Sequence, residues 1–196
     1  LQMTGKLTGD FEVDGQKQNP SSSFTSSFSA PNKFRHDMKD QGVIGSTGDQ
    51  LYIYANDRYL TFDAPKSRTM ADQLPAPFPD MLGAQNLSLV LAFSADAAVD
   101  LTHAYDDVSR VADVKLDDKP YTTLKLVRQR DNAVLQVLID PSTNLLRRAT
   151  IDMSGNLAAR GAKDVKKATV TIEYTTTTAN APIKAETFAW TPPPGA

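Results

Sequence analysis

Few residues of this chain have the type and spacing that catalysis requires. The 196 residues include two histidines, two Asp-Asp pairs and no cysteine. His36 lies among apolar residues of an alternating stretch while Asp37 points to the opposite side, so we expect a structural histidine rather than a base or metal ligand. His103, near the end of a predicted helix, has the same interpretation. The pairs at 106–107 and 117–118 are typical of turns rather than of paired catalytic carboxylates.

Known catalytic sequence patterns are also missing. The chain has no His-x-His or His-Glu-x-x-His spacing, no Gly-rich phosphate loop and no nucleophile elbow. Without cysteine it forms no disulfide and no thiolate metal site. The sequence therefore predicts a protein that is not an enzyme and that has neither a cofactor nor a metal site.

Charge and hydropathy narrow the class of partner. The net charge of −2 and the pI of about 5.7 argue against nucleic acid, whose binding requires a basic surface. The longest apolar run, residues 87–93, is too short to cross a bilayer. Residue 1 already belongs to a strand pattern, so we expect the natural N-terminus, with a signal segment, to lie upstream.

Most of the chain alternates between apolar and polar residues, with the period of a half-buried strand. Leu1, Met3, Leu7 and Phe11 share one side of the opening stretch. Turn signals such as Asp-Gly, Asn-Asp and Pro-Asn separate the alternating segments. Strands are predicted over residues 1–13, 21–28, 34–38, 51–56, 59–62, 108–116, 121–128, 133–139, 145–153, 167–177 and 183–190. About ten or eleven short strands joined mostly by hairpins favour one large antiparallel sheet.

The middle of the chain has a different period. Apolar residues between positions 78 and 93 recur at helix-like spacings, and Ser94 or Asp96 is a candidate cap for a second short helix through His103. Residues 154–164 are predicted to be a polar surface loop. The predicted fold class is α+β and mainly β: a single curved antiparallel sheet in one domain, residues 1–196, with short apolar helices on its concave face.

The apolar side chains allow two interpretations. One is an ordinary packed core between sheet and helices, and the other is an incompletely filled cavity that admits a hydrophobic ligand. The second interpretation makes the large apolar residues of the strands and helices the cavity lining. These candidate ligand-binding residues are Met3, Leu7, Phe11, Phe24, Phe28, Phe34, Met38, Tyr52, Tyr54, Phe78, Met81, Leu82, Leu89, Phe93, Phe188 and Trp190.

Two segments resemble a known family. The stretch APNKFRHDMKDQGVIGSTGDQLYIYAND is similar to the Pro-Asn-x-Phe…Asp-Gly-x-x-Leu-Trp-x-Tyr region of LolA/LolB-type periplasmic lipoprotein carriers. The ending AETFAWTPPPGA resembles the family's closing strand, Phe-x-Phe-x-Pro-Pro-x-Gly. The order of strands, apolar helices and an Asp-Pro-Ser-Thr hairpin between them is also similar. The chain looks closest to the uncharacterised LolA-like periplasmic proteins, and it lacks the N-terminal helix that such proteins usually have.

This resemblance implies an unclosed β-barrel whose mouth is plugged by helices and which encloses an apolar cavity for acyl chains. It also implies a periplasmic or exported location, a lipid or acylated protein as the ligand, and at most transient membrane contact of a monomer. The carriers have an arginine immediately before Pro-Asn that latches the helical lid, and here that position is Ala30. The same latch is therefore not expected in this chain.

Three functions remain open from the sequence. The leading hypothesis is a non-enzymatic carrier that holds lipid or lipoprotein acyl chains. The second is a regulatory domain, because the same half-barrel occurs in envelope-stress sensors that bind an anti-sigma factor; an envelope protein would then be the partner. The third is a cofactor-free enzyme built on the same fold.

Overall fold

The computed structural model describes residues 1–69 and 73–195, and it consists mainly of strands. The strands are β1 (Gln2–Val13), β2 (Gln16–Gln18), β3 (Ser21–Ser29), β4 (Lys33–Met38), β5 (Gly42–Ser46), β6 (Gln50–Ala55), β7 (Arg58–Asp63), β8 (Asp107–Leu116), β9 (Lys119–Arg128), β10 (Ala133–Ile139), β11 (Leu146–Asp152) and β12 (Lys167–Thr178). The helices are α1 (Phe78–Gln85), α2 (Leu87–Phe93), α3 (Ala97–Ala104) and α4 (Ser154–Ala159), and a 3-10 turn covers Ala185–Phe188.

The twelve strands in the described part of the chain form one antiparallel sheet that does not close on itself. Their order is β7-β6-β5-β4-β3-β1-β12-β11-β10-β9-β8, and β2 pairs only with β1. Most neighbours in this order follow one another in the chain, as expected when short turns connect antiparallel strands. The predicted fold class is confirmed.

The chain divides into two compact units, and the boundary between them falls within β1 and within β12. The first unit contains Leu1–Gly5, Ser22–Ala97 and Thr175–Ala196, and the second contains Lys6–Ser21 and Ala98–Tyr174. None of the helices in the described ranges is long and apolar enough to span a membrane.

In the first unit, the Pro-Asn corner before β4 is explained by the side chain of Asn32. This side chain is buried, and its Nδ2 donates to the carbonyl of Gly48 at 2.8 Å and to the carbonyl of Pro65 at 2.6 Å. The two carbonyls belong to the turn after β5 and to the segment after β7, so one amide joins two loops. The two-residue turn at Asn56 and Asp57 has φ angles of 51° and 57°, which suits a tight hairpin between β6 and β7.

In the second unit, hairpins connect β8 to β11, and aliphatic side chains align across them. Leu135 of β10 lies opposite Leu126 on one side and Ile151 on the other. The carboxylate of Asp131 in the β9–β10 turn accepts from Nε and Nη2 of Arg128, at 2.9 and 2.8 Å, and from Nδ2 of Asn156 in α4, at 2.8 Å. These hydrogen bonds, led by the one from Arg128, lower the pKa of Asp131 to about 2.

Two local predictions were wrong, and two strands were missed. Residues 183–190 do not form a strand: Ala185–Phe188 is a 3-10 turn, and the prolines that flank it remove backbone donors that a strand needs. Residues 154–164 contain α4, where the Ser154 hydroxyl accepts from the backbone N–H of Ala168. The strands β2 and β5 were not predicted, because Gln16–Gln18 and Gly42–Ser46 show no alternation of apolar and polar residues.

Candidate functional site

Strand register assigns the candidate residues of the first unit to two different faces. Phe34 lies opposite Phe28 on β3 and Ser46 on β5, whereas its neighbour Arg35 lies opposite Gly45, which in turn lies opposite Tyr52. Because opposed residues share a face and successive residues alternate, Phe34 and Tyr52 project to opposite sides. We call the side of Phe34 the helix-covered face and the side of Tyr52 the C-terminal face.

Helices α1 and α2 pack their aromatic residues onto the helix-covered face. Phe93 at the end of α2 makes edge contacts with Phe28, at a ring separation of 6.4 Å, and with Phe34, at 5.7 Å. Phe78 at the start of α1 makes an edge contact with Phe62 of β7 at 5.8 Å. The face thus brings together eight of the predicted lining residues, all buried: Phe24, Phe28, Phe34, Met38, Phe78, Leu82, Leu89 and Phe93.

A buried polar cluster lies within this apolar layer. Nδ2 of Asn86, between the two helices, donates to the Ser26 hydroxyl at 2.8 Å, and that hydroxyl lies 2.7 Å from Nδ1 of His36. With the Asn86 amide as donor, the Ser26 hydroxyl donates to Nδ1, and the proton of the neutral imidazole is on Nε2. Nε2 is buried and has no hydrogen-bond partner among the described residues. Burial lowers the pKa of His36 to about 4, so the ring is neutral at pH 7.

The same asparagine fixes the helices to the sheet. The Asn86 side-chain oxygen caps α2 by accepting from the backbone N–H of Leu89 at 3.2 Å. The backbone N–H of Asn86 donates to the carbonyl of Leu82 in α1 at 2.7 Å. His36 therefore belongs to a buried hydrogen-bonded cluster that holds the helices, as expected of a structural histidine. His103, in contrast, lies exposed on α3.

The C-terminal face has a different cover. Trp190 stacks flat on Tyr52, with ring centroids 4.4 Å apart and an interplanar angle of 6°, and it also meets the edge of Tyr59. Phe188 in the same segment is buried. Burial raises the pKa of the Tyr52 hydroxyl to about 12. Tyr52, Tyr54 and Trp190 lie on this face, on the other side of the sheet from Phe34, and their role in lining a ligand cavity stays a prediction.

A polar pocket of about 280 Å³ also opens on the C-terminal face. Its wall includes Arg35 and Asp37, which form a two-pronged ion pair at 2.8 and 3.0 Å, and Glu186 and Thr187 of the C-terminal segment. No apolar ring lines this pocket, which offers little surface to an acyl chain.

Four other residues that were predicted to line the cavity are placed differently. Met3 is buried in the first unit, whereas Leu7 and Phe11 are half-buried in the second unit's part of β1. Met81 is half-buried on α1.

An open cleft of about 460 Å³ adjoins the helix-covered face. Phe28 lines this cleft and also contacts Phe93, and Ala92 of α2 lines it next to that same phenylalanine. Arg68 lies over the Phe28 ring, with its guanidinium carbon 5.7 Å from the ring centroid. Sequence reasoning missed Arg68 and Ala92 because neither belongs to an alternating apolar pattern. Ala30 also lines the cleft.

The candidate site shows no metal-binding constellation. Within residues 1–69 and 73–195, no three His, Asp or Glu side chains are grouped so that they could hold a metal ion. Ser26 and His36 form the arrangement of a nucleophile and a base, yet both are buried beneath the helices.

No protein-family model matches the chain, and no curated protein matches it. Solved structures with a similar fold include an uncharacterised conserved protein from Thermus thermophilus, with a TM-score of 0.44 and 8% identity over 88% of this chain and 76% of that chain. A LolA superfamily protein from Nitrosomonas europaea has a TM-score of 0.36 and 8% identity over 96% of this chain and 90% of that chain. The MucA/MucB complex structure of Pseudomonas aeruginosa has a TM-score of 0.40 and 13% identity, over 95% of this chain and 56% of that chain.

One of these structures is described as a LolA superfamily protein. At these identities and TM-scores the similarity does not show a family or a function for this chain. The function of this chain has to be argued from its own side chains.

Proposed function

We propose that this chain is a non-enzymatic binding protein that holds an acyl chain of a lipid or lipoprotein on the helix-covered face of its first unit. The observation that carries the proposal is the cleft, because Phe28 and Ala92 connect it directly to the aromatic layer beneath α2. An exported, cell-envelope location accompanies this proposal, since acylated proteins and their carriers occur there.

Entry of a chain requires α2 to move. The ring of Phe93 contacts those of Phe28 and Phe34, and all three are buried, so side chains fill the space between α2 and the sheet at this point. Helices of eight and seven residues are marginally stable alone, so α1 and α2 depend on their packing against the sheet. Such helices can be displaced as a pair when another apolar surface replaces the contacts that they lose.

The free energy lost when side chains of α1 and α2 leave the sheet is comparable to the free energy gained when an acyl chain replaces them. Exposing a buried Phe or Leu side chain costs about 1.5–3 kcal/mol, so releasing three or four of them costs on the order of 10 kcal/mol. Burying a sixteen-carbon chain at about 0.8 kcal/mol per methylene returns a similar gross amount. An acyl chain is therefore large enough to exchange with Phe93 and its neighbours, whereas a small aromatic molecule is not.

Blocking the cleft tests this proposal. A fluorescent hexadecanoate analogue should bind saturably at one per chain, and Ala92→Trp should weaken its binding by about tenfold or more by filling the mouth beside Phe28. Ala104→Trp is the matched control, because Ala104 is an exposed alanine at the end of α3. Circular dichroism checks that both variants keep the strand spectrum. Absence of saturable binding by the unmodified protein, or equal binding by both variants, would contradict the proposal.

A specific observation also favours the regulatory alternative. β7 lies at the end of the strand order, and Leu60 on it is 55% exposed, so the strand offers an apolar edge to a partner chain. If this function is correct, the protein should co-purify with one membrane-bound regulator, and Leu60→Lys should abolish that association while lipid binding is unchanged. Turnover of an added acyl ester would instead favour the cofactor-free enzyme.

A further inference from the structure

One of the residues that line the cleft is an arginine, Arg68. No carboxylate among the described residues forms an ion pair with Arg68, and the other side chains that line the cleft carry no charge. Arg35, in contrast, pairs with Asp37, and Arg128 pairs with Asp131. Arg68 is thus a charged side chain in a recess whose other lining residues are either apolar, such as Phe28 and Ala92, or polar and uncharged, such as Asn180. The ammonium group of Leu1 adds a second positive charge, and it donates a hydrogen bond to the carbonyl of Phe28.

The position of this guanidinium is set by an aromatic ring. Its central carbon lies 5.7 Å from the centroid of Phe28, within the range of a cation–π contact. Such a contact holds the guanidinium over the ring, while its N–H groups remain available in the plane of the group. Those N–H groups form a fork that fits two oxygens of a carboxylate or phosphate.

Phe28 joins this charge to the proposed acyl site. One ring contacts Arg68 and also contacts Phe93 under α2, so a charged head at Arg68 leaves the attached chain beside Ala92 and Phe93. The volume of about 460 Å³ lies within the range of ordinary ligand pockets. No acidic side chain of residues 1–69 or 73–195 lines this recess to repel an anion.

We propose that Arg68 binds the anionic head of an acyl amphiphile, a carboxylate or a phosphate, whose chain enters the helix-covered face past Phe28. This inference rests on the proposed acyl-binding function and makes it specific for anionic ligands. Neutral and cationic amphiphiles of the same chain length bind more weakly.

The test compares head groups at constant chain length. Dodecanoate, dodecyl phosphate, dodecanol and dodecyltrimethylammonium each compete with a neutral acyl probe, the methyl ester of the fluorescent hexadecanoate analogue. We expect dodecanoate or dodecyl phosphate to bind about tenfold tighter than dodecanol, as a charge-assisted pair at a partly exposed site would give. The preference should shrink at high salt because screening weakens an exposed pair. The ratio between the two anions identifies the preferred head group.

Two arginines of the first unit provide matched variants. Arg68→Gln should remove the preference for anions and leave dodecanol binding unchanged, and Arg68→Lys should retain part of the preference. Arg58→Gln removes a positive charge from another exposed arginine, on β7, and should change nothing.

The outcomes separate the two proposals. If no ligand displaces the probe, the acyl-binding function itself fails. If dodecanol and dodecanoate bind equally, or if Arg68→Gln keeps the full preference for anions, acyl binding stands and the role of Arg68 is wrong. Equal losses in Arg58→Gln and Arg68→Gln would mean that only the net charge of the chain matters, which also overturns the proposal.

Discussion

The same five strands of the first unit carry two unlike cores. On the helix-covered face, Phe93 and Phe78 meet the sheet through ring edges, and a polar cluster around His36 ties the helices down. On the C-terminal face, Trp190 lies flat on Tyr52, in a segment that adds no strand to the sheet. One face is covered by helices that satisfy their own backbone hydrogen bonds, and the other by a C-terminal segment that contains a 3-10 turn.

This difference indicates from which face the packed segment can be displaced by a ligand. A helix pair keeps its internal hydrogen bonds when it moves, so the main cost of opening is the exposed apolar surface. The C-terminal face opens into a polar pocket beside Arg35 and Asp37. Ligand binding is therefore proposed for the helix-covered face, and the C-terminal face is a structural core.

The largest expected effect on the free energy of unfolding comes from the packing of α2 against the sheet. Phe93→Ala should lower the free energy of unfolding by about 3–5 kcal/mol, because Phe93 is buried and its removal leaves a cavity against Phe28 and Phe34. Urea unfolding measures the loss. Leu60→Ala, at a position 55% exposed on the same sheet, should cost about 0.5 kcal/mol or less. Similar losses in both variants would mean that α2 contributes little to the stability of this unit.

Acidification should lower the free energy of unfolding, because the buried His36 must take up a proton. Burial lowers its folded pKa to about 4 from an unfolded value of about 6.5. The unfolded state therefore binds more protons between these values, and stability is complete above pH 6.5 and falls as the pH drops toward 4. The loss is about 3 kcal/mol at 1.36 kcal/mol per pKa unit. Chemical unfolding between pH 7 and pH 4 measures it.

Two variants assign this pH dependence to one residue. His36→Gln removes the buried imidazole, so its stability should decline less over the same range, whatever its stability at pH 7. His103→Gln removes the exposed histidine and keeps His36, so the decline should persist. A decline of equal size in His36→Gln and in the unmodified protein would show that other groups cause it.

A smaller effect is expected at the C-terminal face. A Cβ at Gly45 would overlap the ring of Tyr52, which cannot move away because Trp190 stacks against it. Gly45→Ala should therefore lower the free energy of unfolding by about 2 kcal/mol through overpacking. In Trp190→Ala the ring is free to move, so the added cost of Gly45→Ala should fall by about half or more; an unchanged cost would contradict the stacking argument.

A second glycine gives a control of opposite sign. Gly83 lies within α1, and a Cβ there meets no atom within 4 Å. Gly83→Ala should raise the free energy of unfolding by about 0.5–1 kcal/mol, because alanine is the better helix former. If both alanine variants change stability in the same direction, the sheet and the helix are not packed as described.

Several features of the candidate site could be predicted from the sequence. The alternation around Phe34 and Met38 predicted a strand with an apolar side, and the spacing of Phe78, Leu82 and Leu89 predicted helices to cover it. These patterns are local, because side-chain direction in a strand or helix follows from the residue's position in its own element.

The division into two faces was not predictable from the same patterns. Tyr52 and Tyr54 form an aromatic row as good as that of Phe24 and Phe28, and only the register across β5 shows that the two rows are on opposite sides. The C-terminal segment was likewise expected to be a strand, because its aromatic residues alternate. Its prolines weakened that prediction, and its actual partner, Tyr52, is far away in the sequence.

The sequence by itself determined the mainly β fold, the apolar helices and the absence of recognisable catalytic motifs, because composition and short-range periodicity carry that information. Only the tertiary structure brought Arg68 over Phe28, Asn86 to Ser26 and Trp190 onto Tyr52. Each of these pairs joins residues 40 or more positions apart. Their meeting depends on strand register and on the path of the loops, and no local pattern in the chain records either one.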